Sequence, residues 1–105
     1  MTGSNRPLRL GVVIVNYNGG EYLSRCLASL GRSVVPLDIV VVDNASVDNS
    51  CSGIADVVTE PNRLEVVKNR ENLGFSRAVN IGVAKIGNRY FCILNPDTEI
   101  FPKHS

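Results

Sequence analysis

The sequence predicts an α/β fold: a Rossmann-like open parallel sheet of strand order 3-2-1-4 with helices on both faces. Three observations predict it. Short β-branched runs alternate with segments of helical periodicity, in the order β-α-β-α-β-α-β. The connections between them are short, and such alternation makes a parallel sheet covered on both sides. Crossovers are right-handed, so if three strands wind one way and the fourth returns beside the first, the order is 3-2-1-4.

Each element has its own signal. Residues 1–7 are polar, carry Gly and Pro, and read as a loose tail, leaving 8–105 as one domain. Leu10 to Val15 is an almost unbroken apolar run, the first strand. Asn16-Tyr17-Asn18-Gly19-Gly20 is a turn-rich loop. From Glu21 to Gly31, Leu23, Cys26, Leu27 and Leu30 recur at i, i+3, i+4, i+7, one helical face closed by a terminal Gly. Asp38 opens a second strand, Ile39 to Val42, which ends at Asp43-Asn44. Ser46, Asp48 and Ser50 are candidate N-caps for a second helix carrying Cys51, Ile54, Ala55 and Val58 on one face, weakened by Gly53. Leu64 to Val67 is a short third strand, and Lys68 to Gly74 a polar connection. Phe75, Ala78, Val79, Gly82 and Ile86 mark a third helix, which Gly87-Asn88 ends. Tyr90 to Leu94 is the fourth strand, five apolar or aromatic residues that read as buried on both faces. Pro96 takes the chain out of the sheet.

Composition excludes several classes. Eleven basic residues stand against ten acidic ones, which argues against a nucleic-acid binder acting through bulk charge. No apolar run approaches the roughly 18 residues of a membrane span. The run after Arg6 and Arg9 is too short for a signal-peptide core, so a cytoplasmic location is expected. Cys26, Cys51 and Cys92 are odd in number and widely spaced, which makes neither a disulfide framework nor a zinc pattern. They are expected as reduced core or near-core residues. Neither G-x-G-x-x-G nor G-x-x-x-x-G-K-[ST] occurs. His104, the single histidine, falls in the final residues and offers no catalytic triad.

The candidate site lies where the strands end. In open α/β sheets, ligands bind beyond the carboxyl ends of the strands, at the point where the strand order reverses. That rule brings Asn16 to Asn18 next to Asn95-Pro96-Asp97, with Asp43 flanking them. Asp97 has two readings: an oxygen ligand for Mg²⁺ or Mn²⁺, or a residue of an ordinary turn. Asp43 either accepts hydrogen bonds from a nucleoside or caps the loop Asp43-Asn44-Ala45-Ser46. Lys68 and Arg77 read as solvated charges or phosphate contacts. Asn80 interrupts a helical face, where it caps a loop or touches a ligand. Gly82, which costs about 1 kcal/mol against Ala in a helix, allows close approach to the sheet.

Four segments in order resemble the N-terminal half of the family 2 glycosyltransferases, which have the GT-A fold. They are Val13-Ile14-Val15-Asn16-Tyr17-Asn18, Val41-Val42-Asp43-Asn44-Ala45-Ser46, Asn72-Leu73-Gly74-Phe75 with Asn80 and Gly82, and Leu94-Asn95-Pro96-Asp97. The Asn-Pro-Asp-Thr variant looks most like the rhamnosyltransferase-like and galactofuranosyltransferase-like branch, a resemblance that implies a role in cell-surface polysaccharide biosynthesis. The resemblance implies a nucleotide diphosphate sugar, UDP- or dTDP-linked, held by Val15, Asn16, Tyr17, Asn18, Asp43, Asn72, Gly74, Asn80, Asn95 and Asp97. It implies Asp97 as ligand of a divalent metal, Mg²⁺ or Mn²⁺, with Asn95 standing where the family's metal motif usually begins with Asp. It also implies inverting transfer to an acceptor hydroxyl, with the catalytic base downstream of Asp97. Glu99 does not match that base, so the chain is expected to be the donor-binding part of a truncated GT-A domain, inefficient alone. Non-catalytic nucleotide binding, and homo-oligomerisation through an exposed sheet edge, are the alternatives.

Overall fold

A run of β-branched residues is stiff at χ1 and packs well on a pleated surface, and the first two strands are built from such runs. A computed structural model describes residues 8–88 and 90–95. In it, β1 spans Leu10–Asn16, β2 Leu37–Asp43, β3 Arg63–Lys68 and β4 Phe91–Leu94. The sheet has the order β3-β2-β1-β4 and every pairing is parallel. The expected order 3-2-1-4 is the one found.

Register fixes which side chains share a face. Leu10 pairs with Leu37 and Asn16 with Asp43, so the two central strands run in step to their polar ends. Period-2 alternation then sorts their side chains into two cores. Val12, Ile14, Leu37, Ile39 and Val41 meet Leu23, Cys26 and Leu27 of α1, which spans Glu21–Leu30. On the opposite face Val15, Val40 and Val42 meet Ala78 of α2, which spans Phe75–Lys85. Helices therefore lie on both faces, as expected.

Gly82 explains how closely α2 sits. A Cβ placed there would run into Val13 Cγ1 and come within 3.2 Å of Val42 Cγ2. Alanine would add about 1 kcal/mol of helix propensity, yet overpacking a core costs about 1–3 kcal/mol, so glycine is favoured.

Two expectations are corrected. The second helix does not form: Cys51 to Val58 contains only a 3₁₀ turn at Ile54–Asp56. Gly53, at φ 75°, takes the left-handed conformation that interrupts a right-handed helix. The apolar spacing still reports burial, because Ile54 enters the α1-side core with Cys51, Val57 and Val58 against it. The fourth strand is not buried on both faces: Phe91, Cys92 and Ile93 are exposed. Among the described residues β4 is flanked by β1 alone, and of its four residues only Leu94 packs against the α1-side core. Cys92 is thus a surface thiol rather than a near-core one, whereas Cys26 is buried and Cys51 half-buried, and all three are free. Among the described residues no helix is long and apolar enough to cross a membrane.

Candidate functional site at the carboxyl edge of the sheet

The carboxyl ends of β1 and β2 are polar and buried together. Asn16 is fully buried and Asp43 is 5% exposed. Burying polar groups is costly unless they are hydrogen-bonded, and here they bond each other. Asn16 Nδ2 donates to Asp43 Oδ1 at 2.8 Å and to Ser50 Oγ at 2.9 Å. Asp43 Oδ1 also accepts from Ser46 Oγ at 2.6 Å and from Cys51 Sγ at 3.4 Å, while Oδ2 accepts from the Ser46 backbone N–H at 3.0 Å. Asn16 Oδ1, equally buried, has no hydrogen-bond partner among the described residues.

Burial pushes the Asp43 carboxyl up, but the bonds from Ser46, Asn16 and Cys51 outweigh it and hold the group below its ordinary 3.8. Asp43 is therefore a carboxylate at neutral pH, held by uncharged donors. Burial, with the neighbouring Asp43 charge, pushes the Cys51 thiol up to about 11, so this thiol stays protonated. Of the two readings of Asp43, loop organisation is visible directly: the Ser46 N–H bond is a local cap across three residues.

The loop after β1 is tied to the loop after β2 through Asn18 and Asp48. Asn18, at φ 51°, donates its backbone N–H to Ser46 Oγ at 2.8 Å, and its Oδ1 accepts from Val47 N at 2.8 Å. Asp48 Oδ2 accepts from Gly20 N, and its Oδ1 accepts from the Ser50 N–H and hydroxyl. Ser46, Asp48 and Ser50, expected as helix caps, instead knit these two loops. Ala45 is held at φ 65°, a conformation that costs an alanine about 1–2 kcal/mol.

The loop after β3 is tied to β2 by Asn44, which is 2% exposed. Asn44 Nδ2 donates to Gly74 O at 3.2 Å, and Asn44 Oδ1 accepts from Asn69 Nδ2 at 2.8 Å. Asn72 Oδ1 accepts from Gly74 N at 2.8 Å, an Asx turn at the start of α2.

The expected site residues therefore divide. Asn16, Asn18 and Asp43 meet in one network. Asn72 and Gly74 lie in the loop that Asn44 joins to it. Ile14 pairs with Leu94, so Asn95 continues β4 beside the end of β1. The Val15 side chain is in the α2-side core, and Val15 pairs with Val42 within the sheet. Tyr17 is exposed. Asn80 is exposed, two residues on from buried Ala78 and so turned from the sheet. Lys68 and Arg77 are exposed. Asp97, Pro96, Glu99 and His104 lie outside the described residues, as do residues 1–7. Asn44, Ser46, Ser50 and Asn69 were not foreseen as members of the network. The cue for Ser46 was its place three residues after Asp43, the spacing of a local cap.

Among the described residues no group of three or more His, Cys, Asp or Glu could hold a metal. Asp43 is committed to protein donors. The residue types past β4 do fit a hard cation: one carboxylate, Asp97, and a neutral oxygen from Asn95, which suffices when phosphates supply further ligands.

The glycosyl transferase family 2 model matches residues 11–105. The chain belongs to that family. An N-acetylglucosaminyl-diphospho-decaprenol L-rhamnosyltransferase of Mycobacterium tuberculosis is 31% identical, over 89% of this chain and 33% of its own length. An uncharacterized glycosyltransferase of Haemophilus influenzae is 28% identical, over 89% of this chain and 29% of its own length. The mannosyltransferase PcManGT of Pyrobaculum calidifontis, solved with GDP-Man and Mn²⁺, aligns at TM-score 0.77 and 27% identity, over 90% of this chain and 28% of that one. The chain thus spans about a third or less of the length of the glycosyltransferases it matches. Its four-stranded parallel sheet with helices on both faces is similar to the GT-A fold of PcManGT.

Proposed function

We propose that this chain supplies the donor-binding part of a glycosyltransferase that moves a sugar from a nucleotide diphosphate sugar to an acceptor hydroxyl, with inversion and with a divalent metal. The observation that carries this reading is the convergence at one sheet edge. The loops after β1, β2 and β3 are bonded to one another there, and Asn95 leaves β4 beside them. That edge is where an open α/β sheet receives a ligand. Membership of the family supports the reaction class. The Mn²⁺ and GDP-Man of PcManGT support a nucleotide diphosphate sugar and a hard cation as ligands. Likeness to the mycobacterial rhamnosyltransferase supports the rhamnosyltransferase-like branch; a UDP- or dTDP-linked donor and a cytoplasmic role in cell-surface polysaccharide synthesis are further parts of the proposal.

In this proposal the Asn16–Asn18 loop and Asp43 set the nucleoside end of the crevice, while Asn72 and Gly74 form its side. Tyr17, exposed on the same loop, offers an aromatic face to a base. Asn80 lines the outer mouth. Asp97 would hold Mg²⁺ or Mn²⁺, with Asn95 contributing a neutral oxygen. The metal, when bound, offsets the negative charge that gathers on the leaving nucleoside diphosphate. No residue of this chain is assigned as the base that takes the acceptor's proton.

Calorimetry tests the proposal: UDP, dTDP and GDP are titrated in turn with Mn²⁺, then with EDTA. Metal-dependent binding that disappears in Asp97→Ala is expected. Failure of every nucleoside diphosphate to bind in the presence of Mn²⁺ would remove the donor site. A second reading, self-association through β4, is favoured by the exposed Phe91 and Ile93 on an edge strand. Light scattering that shows a monomer at high concentration would end it.

A further inference from the structure

We infer that Asn44 is a positioning residue whose buried amide sets the Asn69–Gly74 loop against the end of β2, and that binding of a nucleoside diphosphate depends on it. The inference rests on the donor-site reading above and deepens it by naming what holds one wall of that site. Three hydrogen bonds meet on this one side chain. Nδ2 donates to Gly74 O at 3.2 Å, and Oδ1 accepts from Asn69 Nδ2 at 2.8 Å and from Leu73 N at 3.4 Å. The main chain at both partners is anchored at the sheet edge: Asn44 N donates to Asn16 O, and Asn69 N donates to Asp43 O, both at 2.8 Å.

The bond to Gly74 reaches beyond the loop. Gly74 O also accepts the first helical bond of α2, from Ala78 N at 3.2 Å. Asn44 therefore fixes the loop and the entry of α2 at one atom. α2 has no side-chain N-cap of its own, so this amide is an external tie on its first turn. Gly74 sits at φ 85°, a conformation that favours glycine, and so the chain at this point is shaped rather than free to slide.

An amide is required, not merely a polar group. Only Asn offers an acceptor and a donor at once on a side chain of this length. Asn44→Asp keeps the acceptor used by Asn69 and Leu73 but turns a carboxylate oxygen toward Gly74 O, which can donate nothing to it. The expected result is a loop that lifts from β2 while the sheet stays folded.

The test uses the full chain with GDP, UDP and dTDP, each with Mn²⁺, beside amide hydrogen exchange. Asn44→Asp is expected to weaken binding by about tenfold, the effect of losing one part-buried hydrogen bond and setting two acceptors against each other. It should also lose exchange protection at Leu73 and Ala78. Asn69→Ala removes one bond of the three and should weaken binding less. Ile39→Val, which loosens the opposite core, should leave affinity within about twofold even though it lowers stability. If Asn44→Asp binds as the parent does, the inference falls and the donor site stands. If Ile39→Val weakens binding as much as Asn44→Asp does, the effect is general destabilisation and the inference falls. If the parent binds none of the three probes, the donor-site reading fails and takes this inference with it.

Discussion

Two carboxylates on β2, Asp38 and Asp43, stand at opposite ends of one strand and are treated in opposite ways. Asp38 meets cations. Arg9 donates to its Oδ1 from Nε at 2.9 Å and from a terminal nitrogen at 2.7 Å, Asn88 donates to its Oδ2, and Arg63 lies 4.0 Å away. The same guanidinium also bonds Leu37 O and Pro61 O, so this corner of the sheet is closed by one arginine. Asp43 meets only neutral donors. Its charge is stabilised but not cancelled, and it remains at the edge where the loops converge. A charge paired inside the protein serves the fold. A charge held by dipoles fixes loops and leaves an electrostatic field outside the sheet. The ends differ in purpose although the strand between them is a plain apolar run.

The contrast makes graded predictions. Asp43→Ala should have the largest effect, about 2–4 kcal/mol of lost stability, because Asn16 Nδ2 and Ser46 N are left with fewer buried acceptors. Urea denaturation measures it. Asp38→Asn should also destabilise, but its deficit should shrink in about 1 M salt, which screens the lost ion pair in the parent. The Asp43→Ala deficit should persist in salt. Equal salt sensitivity of the two would erase the distinction between the ends.

Gly82→Ala lies between the two ends and should cost up to about 2 kcal/mol, overpacking against Val13 and Val42 less the gain in helix propensity. Binding at neither end is involved, so thermal melting is the readout. A stabilised variant would mean that α2 can retreat from the sheet.

Acid should act on both ends together. The Arg9 hydrogen bond, with smaller help from Asn88 and the arginine charges, holds Asp38 below its ordinary 3.8 against the effect of burial. Asp43 is also lowered, as is Asp48 through its bonds from Ser50. A carboxyl whose folded value is depressed contributes stability that is full above the unfolded value and disappears as pH falls through the folded one. Stability should therefore hold from neutral pH to about 4.5 and fall below about 4. Denaturation midpoints across that range decide the matter, and a decline starting near neutrality would contradict it. The smallest effect is a gain: Ala45→Gly should add about 1 kcal/mol by relieving the left-handed alanine. If no gain appears, Ala45 is not strained where it sits.

Much of the sheet was legible because period and register are local physics. The β-branched runs from Leu10 and Ile39, ending in polar residues, placed β1 and β2, and crossover handedness gave the order. The missing helix was not legible, since spacing at Cys51, Ile54 and Val58 reports burial on one side without reporting the left-handed Gly53. The exposure of β4 was not legible either, because an apolar run states what a strand can bury and not which neighbours it has. At the site, Asn16, Asn18 and Asp43 were nameable as a group, but not which amide reached which carboxylate. Asn44 carries no mark of its tie to the loop after β3, because an Asn after an Asp looks like any turn residue. Its role depends on a loop 25 to 30 residues away in sequence.

The central claim is that the nucleotide and its metal occupy the Asp43 end of the sheet, about 16 Å along β2 from Asp38. Paramagnetic Mn²⁺ with a nucleoside diphosphate, added to the isotopically labelled chain, tests it directly. Amide signals of Asn16 to Asn18, Leu73, Gly74 and Asn95 should broaden, while those of Arg9, Asp38 and Asn88 stay sharp, and Asp97→Ala should abolish the effect. Broadening centred on the Asp38 end, or none at the Asp43 end with any nucleoside diphosphate, would contradict the account.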